Sequence, residues 1–160
     1  MNSTHVTKVL PYAPDDLLAL VGDVDRYPEF VPWVTALKTW NRTTPSPGVS
    51  TVDAEAKVGF AFVRERFATR VKQDAGARTI EVSLLYGPFK RLSNRWAFHS
   101  DPAGTRVEFD IDFAFKSRLL DALLHANSKA AADRIMACFE ARARQLYGAT
   151  GAAAAATGGA

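Results

Sequence analysis

Between Trp33 and Lys116, apolar and polar residues alternate with a period of two, and short clusters rich in Pro, Gly, Asp and Ser interrupt the alternation. The pattern predicts strands at about 33–43, 49–59, 62–73, 78–85, 91–100 and 104–116. The separators are Pro45-Ser46-Pro47-Gly48, Asp74-Ala75-Gly76, Gly87-Pro88 and Asp101-Pro102-Ala103-Gly104. They have turn chemistry, and such short breaks favour antiparallel hairpins. The last strand is the clearest. Thr105, Val107, Phe109, Ile111, Phe113 and Phe115 alternate with Arg106, Glu108, Asp110, Asp112, Ala114 and Lys116, so one face is apolar and the other wet.

The rhythm becomes helical between Ser117 and Tyr147, a stretch without Pro or Gly and dominated by Ala, Leu and Arg. With Ser117 as N-cap and Gly148 just past the C-terminus, this is one helix about 45 Å long. Its apolar face is expected to hold Leu120, Leu123, Leu124, Ala131, Ile135, Cys138, Phe139 and Leu146, opposite Lys129, Asp133, Arg134, Glu140 and Arg144. Upstream, Val6–Leu10 reads as a strand stopped by Pro11. Pro14–Val21 reads as a short helix with carboxylates in its first turn. Pro28 and Pro32 limit the next segment to a turn or two of helix, yet Tyr27, Phe30, Val31 and Trp33 in it need burial. The expected fold class is α+β: a curved antiparallel sheet of about seven strands, two short helices after the first strand, and one long C-terminal helix on the apolar face. A sheet of that size curls, and around a single helix it need not fill its interior. A cavity is therefore an expectation of the architecture.

Composition narrows the function. Of 160 residues, 1–147 are expected to form one domain, and 148–160, almost only Ala, Gly and Thr, a disordered tail. A net charge of +3 is a thinner basic excess than nucleic-acid binders usually carry, so DNA is not an expected partner. The chain has no long apolar run, Met1–His5 lacks the charged and apolar regions of a secretory signal so none is expected, and the single cysteine excludes an internal disulfide. The expected location is the cytoplasm, free or peripheral on the inner respiratory membrane. His5, His99 and His125 lie far apart on different elements, and no metal, nucleophile-elbow or phosphate-loop motif occurs. Neither a metal ligand nor a catalytic residue is assigned.

Four stretches together resemble a known family. They are Val24-Asp25-Arg26-Tyr27-Pro28-Glu29-Phe30-Val31-Pro32-Trp33; Val58-Gly59-Phe60 with Arg64-Glu65-Arg66-Phe67; Gly87-Pro88-Phe89-Lys90-Arg91-Leu92 with Trp96 and Phe98; and Val107 to Phe115. The family is the coenzyme-Q-binding START-domain family, a branch of the polyketide cyclase/START superfamily whose bacterial members are also named ribosome-association toxins. The resemblance covers about residues 4–147. It implies a helix-grip fold with a hydrophobic tunnel under the long helix. It further implies binding of ubiquinone or a related prenyl lipid there, in support of respiratory electron transport or quinone biosynthesis.

On that implication the tunnel lining comes from Phe30, Val31, Trp33, Val58, Phe60, Phe67, Leu84, Trp96, Phe98, Phe109, Ile111 and Phe113, with Leu120, Leu124, Ile135 and Phe139 from the helix. The alternative for each is an ordinary packed core. Polar residues in phase with the apolar face say more. Glu65 and Thr69 share the face of Val63, Phe67 and Val71, and Asn94 that of Leu92, Trp96 and Phe98. Burying such a group without a hydrogen bond costs about 1–3 kcal/mol, so each pairs inside the protein or with a ligand. A quinone head accepts hydrogen bonds, which suits Asn94 and Thr69. Glu65 either meets the ligand protonated or pairs with Arg64, Arg66 or Arg91. Arg64, Arg66, Arg70 and Lys72 share the outer face with Asp53, Glu55 and Lys57, as cross-strand ion pairs or as a contact surface for anionic lipid or ribosomal RNA. Phe89 beside Lys90 and Arg91 is expected to be exposed, a wedge for a membrane or partner. The expected function is a ubiquinone carrier that uses no catalytic cofactor, is not an enzyme, and touches the membrane or respiratory enzymes peripherally. The alternatives are a ribosome-binding protein that blocks subunit association and a polyketide cyclase-like enzyme.

Overall fold

Each period-two segment forms a strand, and a computed structural model places all of them in one sheet. The structure describes residues 2–60, 63–125 and 128–148. The elements are β1 (Asn2–Leu10), α1 (Pro14–Gly22), a 3-10 helix (Val24–Glu29), β2 (Val34–Ser46), β3 (Val49–Phe60), β4 (Val63–Asp74), β5 (Thr79–Tyr86), β6 (Phe89–Asp101), β7 (Gly104–Phe115), α2 (Arg118–His125) and α3 (Ser128–Tyr147). The seven-stranded sheet runs β1-β7-β6-β5-β4-β3-β2, antiparallel throughout. The hairpins β2 to β7 follow from their short turns. β1 joins the far edge, with Val6 opposite Phe109 and Leu10 opposite Thr105.

The single long helix of the sequence reading corresponds to α2 and α3; residues 126 and 127, where they would join, lie outside the described residues, as does the predicted tail from 149 onward. Ser117 caps α2 as expected, its Oγ accepting the Leu120 N–H at 3.3 Å. Gly148 ends α3 at φ 85°, where its N–H donates to the Arg144 carbonyl at 2.8 Å.

The buried stripe of α3 differs from the expected one. Ala132, Met136, Phe139 and Ala143 are buried, whereas Leu146 is 51% exposed and Ile135 and Cys138 are half-buried. The reason lies in what the helix touches. It packs on β1 and α1, and small residues at 132 and 143 let its backbone approach them closely. The Phe139 ring meets Trp96 at 5.0 Å, Phe30 at 5.2 Å and Tyr27 at 5.3 Å, all near edge-to-face. Trp96 in turn lies 4.3 Å from Phe109. The Tyr27 hydroxyl donates to the Val21 carbonyl, and burial, aided by the Asp23 charge, pushes its ionisation above the ordinary phenol range. Buried Arg142 fastens α3 to the 3-10 helix. Its Nη2 donates to Glu29 at 3.0 Å, and its guanidinium covers the Phe30 ring at 5.2 Å.

Phe139→Ala is expected to cost about 3–5 kcal/mol, since three aromatic partners lose their common neighbour. A fall in the urea midpoint with an unchanged m-value would register it; a loss below about 1 kcal/mol would show that the cluster is not the anchor.

Candidate functional site

The inner sheet face is packed unequally. Ile80, Trp96, Phe98, Val107 and Phe109 are buried against α1 and α3. Farther along the same face, Val58, Glu65, Phe67, Leu84, Leu92, Asn94 and Ile111 point inward by register yet stay only half-buried. Leu120 of α2 and Ile135 of α3, on the helical layer, are also half-buried. An apolar face that lies beneath helices and keeps accessible surface leaves an opening between the layers. That opening is the candidate cleft.

One end of it is aromatic. Phe89 lies 5.3 Å from Phe67 and 4.6 Å from Phe115, and Phe115 lies 5.7 Å from Phe113. Gly87 makes this possible. It sits at φ 146°, and a Cβ there would come within 2.4 Å of the Phe67 Cβ, so the turn presses onto that ring. Phe89 is therefore buried, which corrects the expectation of an exposed wedge: the turn folds the ring inward to complete the stack. Lys90 remains exposed, and Arg91 pairs with Asp112 on the outer face at 3.1 Å. The exposed apolar group near this end is Leu119, 71% accessible, with Lys116 and Arg118 exposed beside it.

The polar residues of the inner face separate. Asn94, in register with Val82 and Ile111, has its Oδ1 buried without a hydrogen-bond partner among the described residues. Thr69 is buried next to Ala54 in the ladder. Glu65 is half-buried opposite Val58. Arg66 and Arg91 are directed to Glu55 and Asp112, so neither is the ion-pair partner of Glu65.

Of the apolar lining candidates, Trp96, Phe98 and Phe109 belong to the packed core and turn no free surface to the cleft. Phe113 is buried in the aromatic end. Val31 is buried with Val34 and Ala56 in a second cluster, against which Phe30, Trp33, Val58, Phe67 and Cys138 pack. Burial pushes the Cys138 thiol up, partly offset by Arg134. The side chains of Phe60 and Leu124 lie outside the described residues. Sequence reasoning missed Arg142; the signal was its position three residues beyond Phe139, on the stripe that continues inward.

The outer face carries a different chemistry. Asp53 accepts from Arg70 at 2.9 and 3.1 Å and from Asn41 at 3.0 Å. Glu55 accepts from the Tyr86 hydroxyl, with Arg66 at 3.7 Å and Lys38 at 3.8 Å. The hydrogen bond from Arg70 holds the Asp53 carboxyl below its usual range, and that from Tyr86 does the same for Glu55. His5 and His99 also sit on the outer face, paired with Asp110 and Glu108. Among the described residues, no helix is long and apolar enough to cross a membrane.

Residues 10–140 match the family described as "Polyketide cyclase / dehydrase and lipid transport". The chain belongs to this family, and its sheet and terminal helices have the START-type fold. It is 35% identical over 149 residues, 91% of this chain and 99% of the other, to the ribosome association toxin RatA of Pseudomonas aeruginosa. It is 31% identical, over 72% of this chain and 70% of the other, to the mitochondrial coenzyme Q-binding protein coq10 of Schizosaccharomyces pombe. The solution structure of an 18 kDa protein from Caulobacter crescentus, 64% identical, superposes with a TM-score of 0.78 over 93% of this chain and all of that one. These two named relatives are binding proteins by name, while the family description also covers cyclases and dehydrases.

The two outer carboxylates give a pH dependence with a definite sign. Their folded values lie below the unfolded ones, so their stabilisation is complete above the unfolded carboxylate value near 4 and is lost as pH falls through the lowered folded values. Asp53→Asn/Glu55→Gln is expected to be less stable than the parent at pH 7 but to lose less on acidification toward pH 3. Parallel pH slopes of urea-derived stability in the two proteins would contradict this.

Proposed function

We propose that the chain binds a prenylquinone of the ubiquinone type in the cleft between the inner sheet face and the terminal helices, and carries it to respiratory or quinone-modifying enzymes. The observation that supports this reading is a half-accessible apolar face under a helix, with a buried polar atom, Asn94 Oδ1, that has no partner among the described residues. An isoprenoid tail placed there leaves water at about 25 cal/mol per Å² of apolar area. Turned over, the Asn94 amide presents its NH2 group to a quinone carbonyl, so the head has one orienting donor amid apolar walls. The coenzyme Q-binding name of one relative supports the same ligand class. Exchange with a membrane would use the end that carries Leu119, Lys116 and Arg118. A carrier of this kind needs no chemical step, and the two described histidine side chains are engaged on the far face of the sheet.

A second reading, association with the ribosome, is favoured by the RatA relatives, which span almost the whole chain. Co-sedimentation with ribosomal subunits would support it, and its absence would count against it.

Organic extraction of freshly purified protein is expected to release a prenylquinone in near-stoichiometric amount. Asn94→Leu should weaken binding of a short-tail ubiquinone by about 5- to 30-fold, the equivalent of one hydrogen bond of about 1–2 kcal/mol. The same change should leave farnesol binding intact, and it should raise stability because an orphaned polar group disappears. An empty extract, with no uptake of ubiquinone from detergent, would sink the carrier reading.

A further inference from the structure

We infer that the outer face of β2–β5, on the side of the sheet opposite the cleft, is a binding surface for unpaired RNA. Lys38, Lys57, Arg64, Arg66, Arg70 and Lys72 all project from this face and are exposed. On β3 their carboxylate neighbours, Asp53 and Glu55, are only 4% and 7% exposed, held beneath the cations that cover them. On β5, Glu81 is exposed opposite Lys72 and pairs with Arg95 at 3.5 Å. Over β2–β4 a partner therefore meets positive charge with the compensating anions sunk out of reach. The chain as a whole carries only +3, so its excess is concentrated here.

Two aromatic rings share the face. Trp40, opposite Asp53 on β2, is 39% exposed, and Tyr86, opposite Ala68 on β5, is 48% exposed. They stand three strand spacings apart, about 14 Å. The Tyr86 ring is fixed by its hydroxyl bond to Glu55, and the Arg70 guanidinium by its two bonds to Asp53. Exposed aromatics on a sheet face, interleaved with cations, offer stacking for unpaired bases and contacts for their phosphates. In a duplex the base faces are already stacked on one another, so rings that offer stacking select unpaired bases. The basic field is bounded. A trough of about 630 Å³ leads from Arg70 and Lys72 across the outer face to β7, where Asp110 and Asp112 line it and repel a phosphate backbone. A bilayer fits this face less well, because the most exposed aliphatic side chain, Leu119, stands at the cleft end among other cations.

The inference deepens the ribosome reading by naming the surface and the class of partner, and it is independent of the quinone. Fluorescence anisotropy of a labelled short oligouridine with the full chain tests it. The parent chain should bind the single strand and not a duplex RNA. Trp40→Ala should weaken binding about tenfold. Lys57→Glu/Lys72→Glu should weaken it at least about tenfold and flatten the salt dependence by about 1.4 in log–log slope, for two lost phosphate contacts. Lys116→Glu/Arg118→Glu, the same charge change at the other end, should leave binding unaltered. Thermal melts of each variant identify loss of fold. No binding by the parent chain, indifference to Trp40→Ala, or equal weakening by the control pair would each overturn the inference. So would binding to phosphatidylglycerol vesicles, lost in Lys57→Glu/Lys72→Glu, without any oligouridine binding. If the parent chain and these variants all co-sediment equally with ribosomal subunits, the ribosome reading stands and this surface assignment falls.

Discussion

The rest of the structure depends on the way Phe139 is held. Its ring is met by Trp96 from the sheet and by Tyr27 and Phe30 from the 3-10 helix segment. Each partner is itself fixed, Tyr27 by its bond to the Val21 carbonyl and Phe30 by the Arg142 guanidinium above it. The result anchors α3 against one half of the inner face. Because the aromatic mass collects there, the other half retains accessible apolar surface. The cleft is thus a consequence of one-sided packing: side chains large enough to fill the interior are spent on fastening the helix and on the Phe67–Phe89–Phe115 stack at the far end.

The same strands serve two unlike surfaces. Along β3, Val52, Ala54 and Ala56 face the core while Asp53 and Glu55 face outward, and β4 answers with Phe67, Thr69 and Val71 inside and Arg66, Arg70 and Lys72 outside. Burying carboxylates on an outer face carries a desolvation cost that only well-directed partners offset. Here Asp53 receives three hydrogen bonds, and Glu55 lies among a phenol, a guanidinium and an ammonium. The arrangement orders the cations and the Tyr86 ring above them. A ligand inside and a partner outside would then be read by opposite faces of one ladder, without competing for the same side chains.

Much of this was legible in the sequence. Alternation located β2 to β7 within a few residues, since the pleat fixes which side chains share a face whatever the strand packs against. Turn residues marked the hairpins, and Ser117 and Gly148 marked the helical limits because caps are local chemistry. Val58, Phe67 and Ile111 were assigned to the inner face from phase alone, as was Asn94. What could not be read was anything set by contact between distant segments. β1 pairing with β7, the rotation of α3 that buries Met136 and exposes Leu146, and the inward fold of Phe89 over Gly87 all depend on partners remote in the chain. Sequence by itself determined the elements and their faces, because periodicity and turn chemistry act over a few residues, and particular residue runs carried the family resemblance. Only the tertiary structure decided which inner residues are packed and which stay open, and where a small net charge gathers. Packing and electrostatics are sums over neighbours in space, and those neighbours are chosen by the fold.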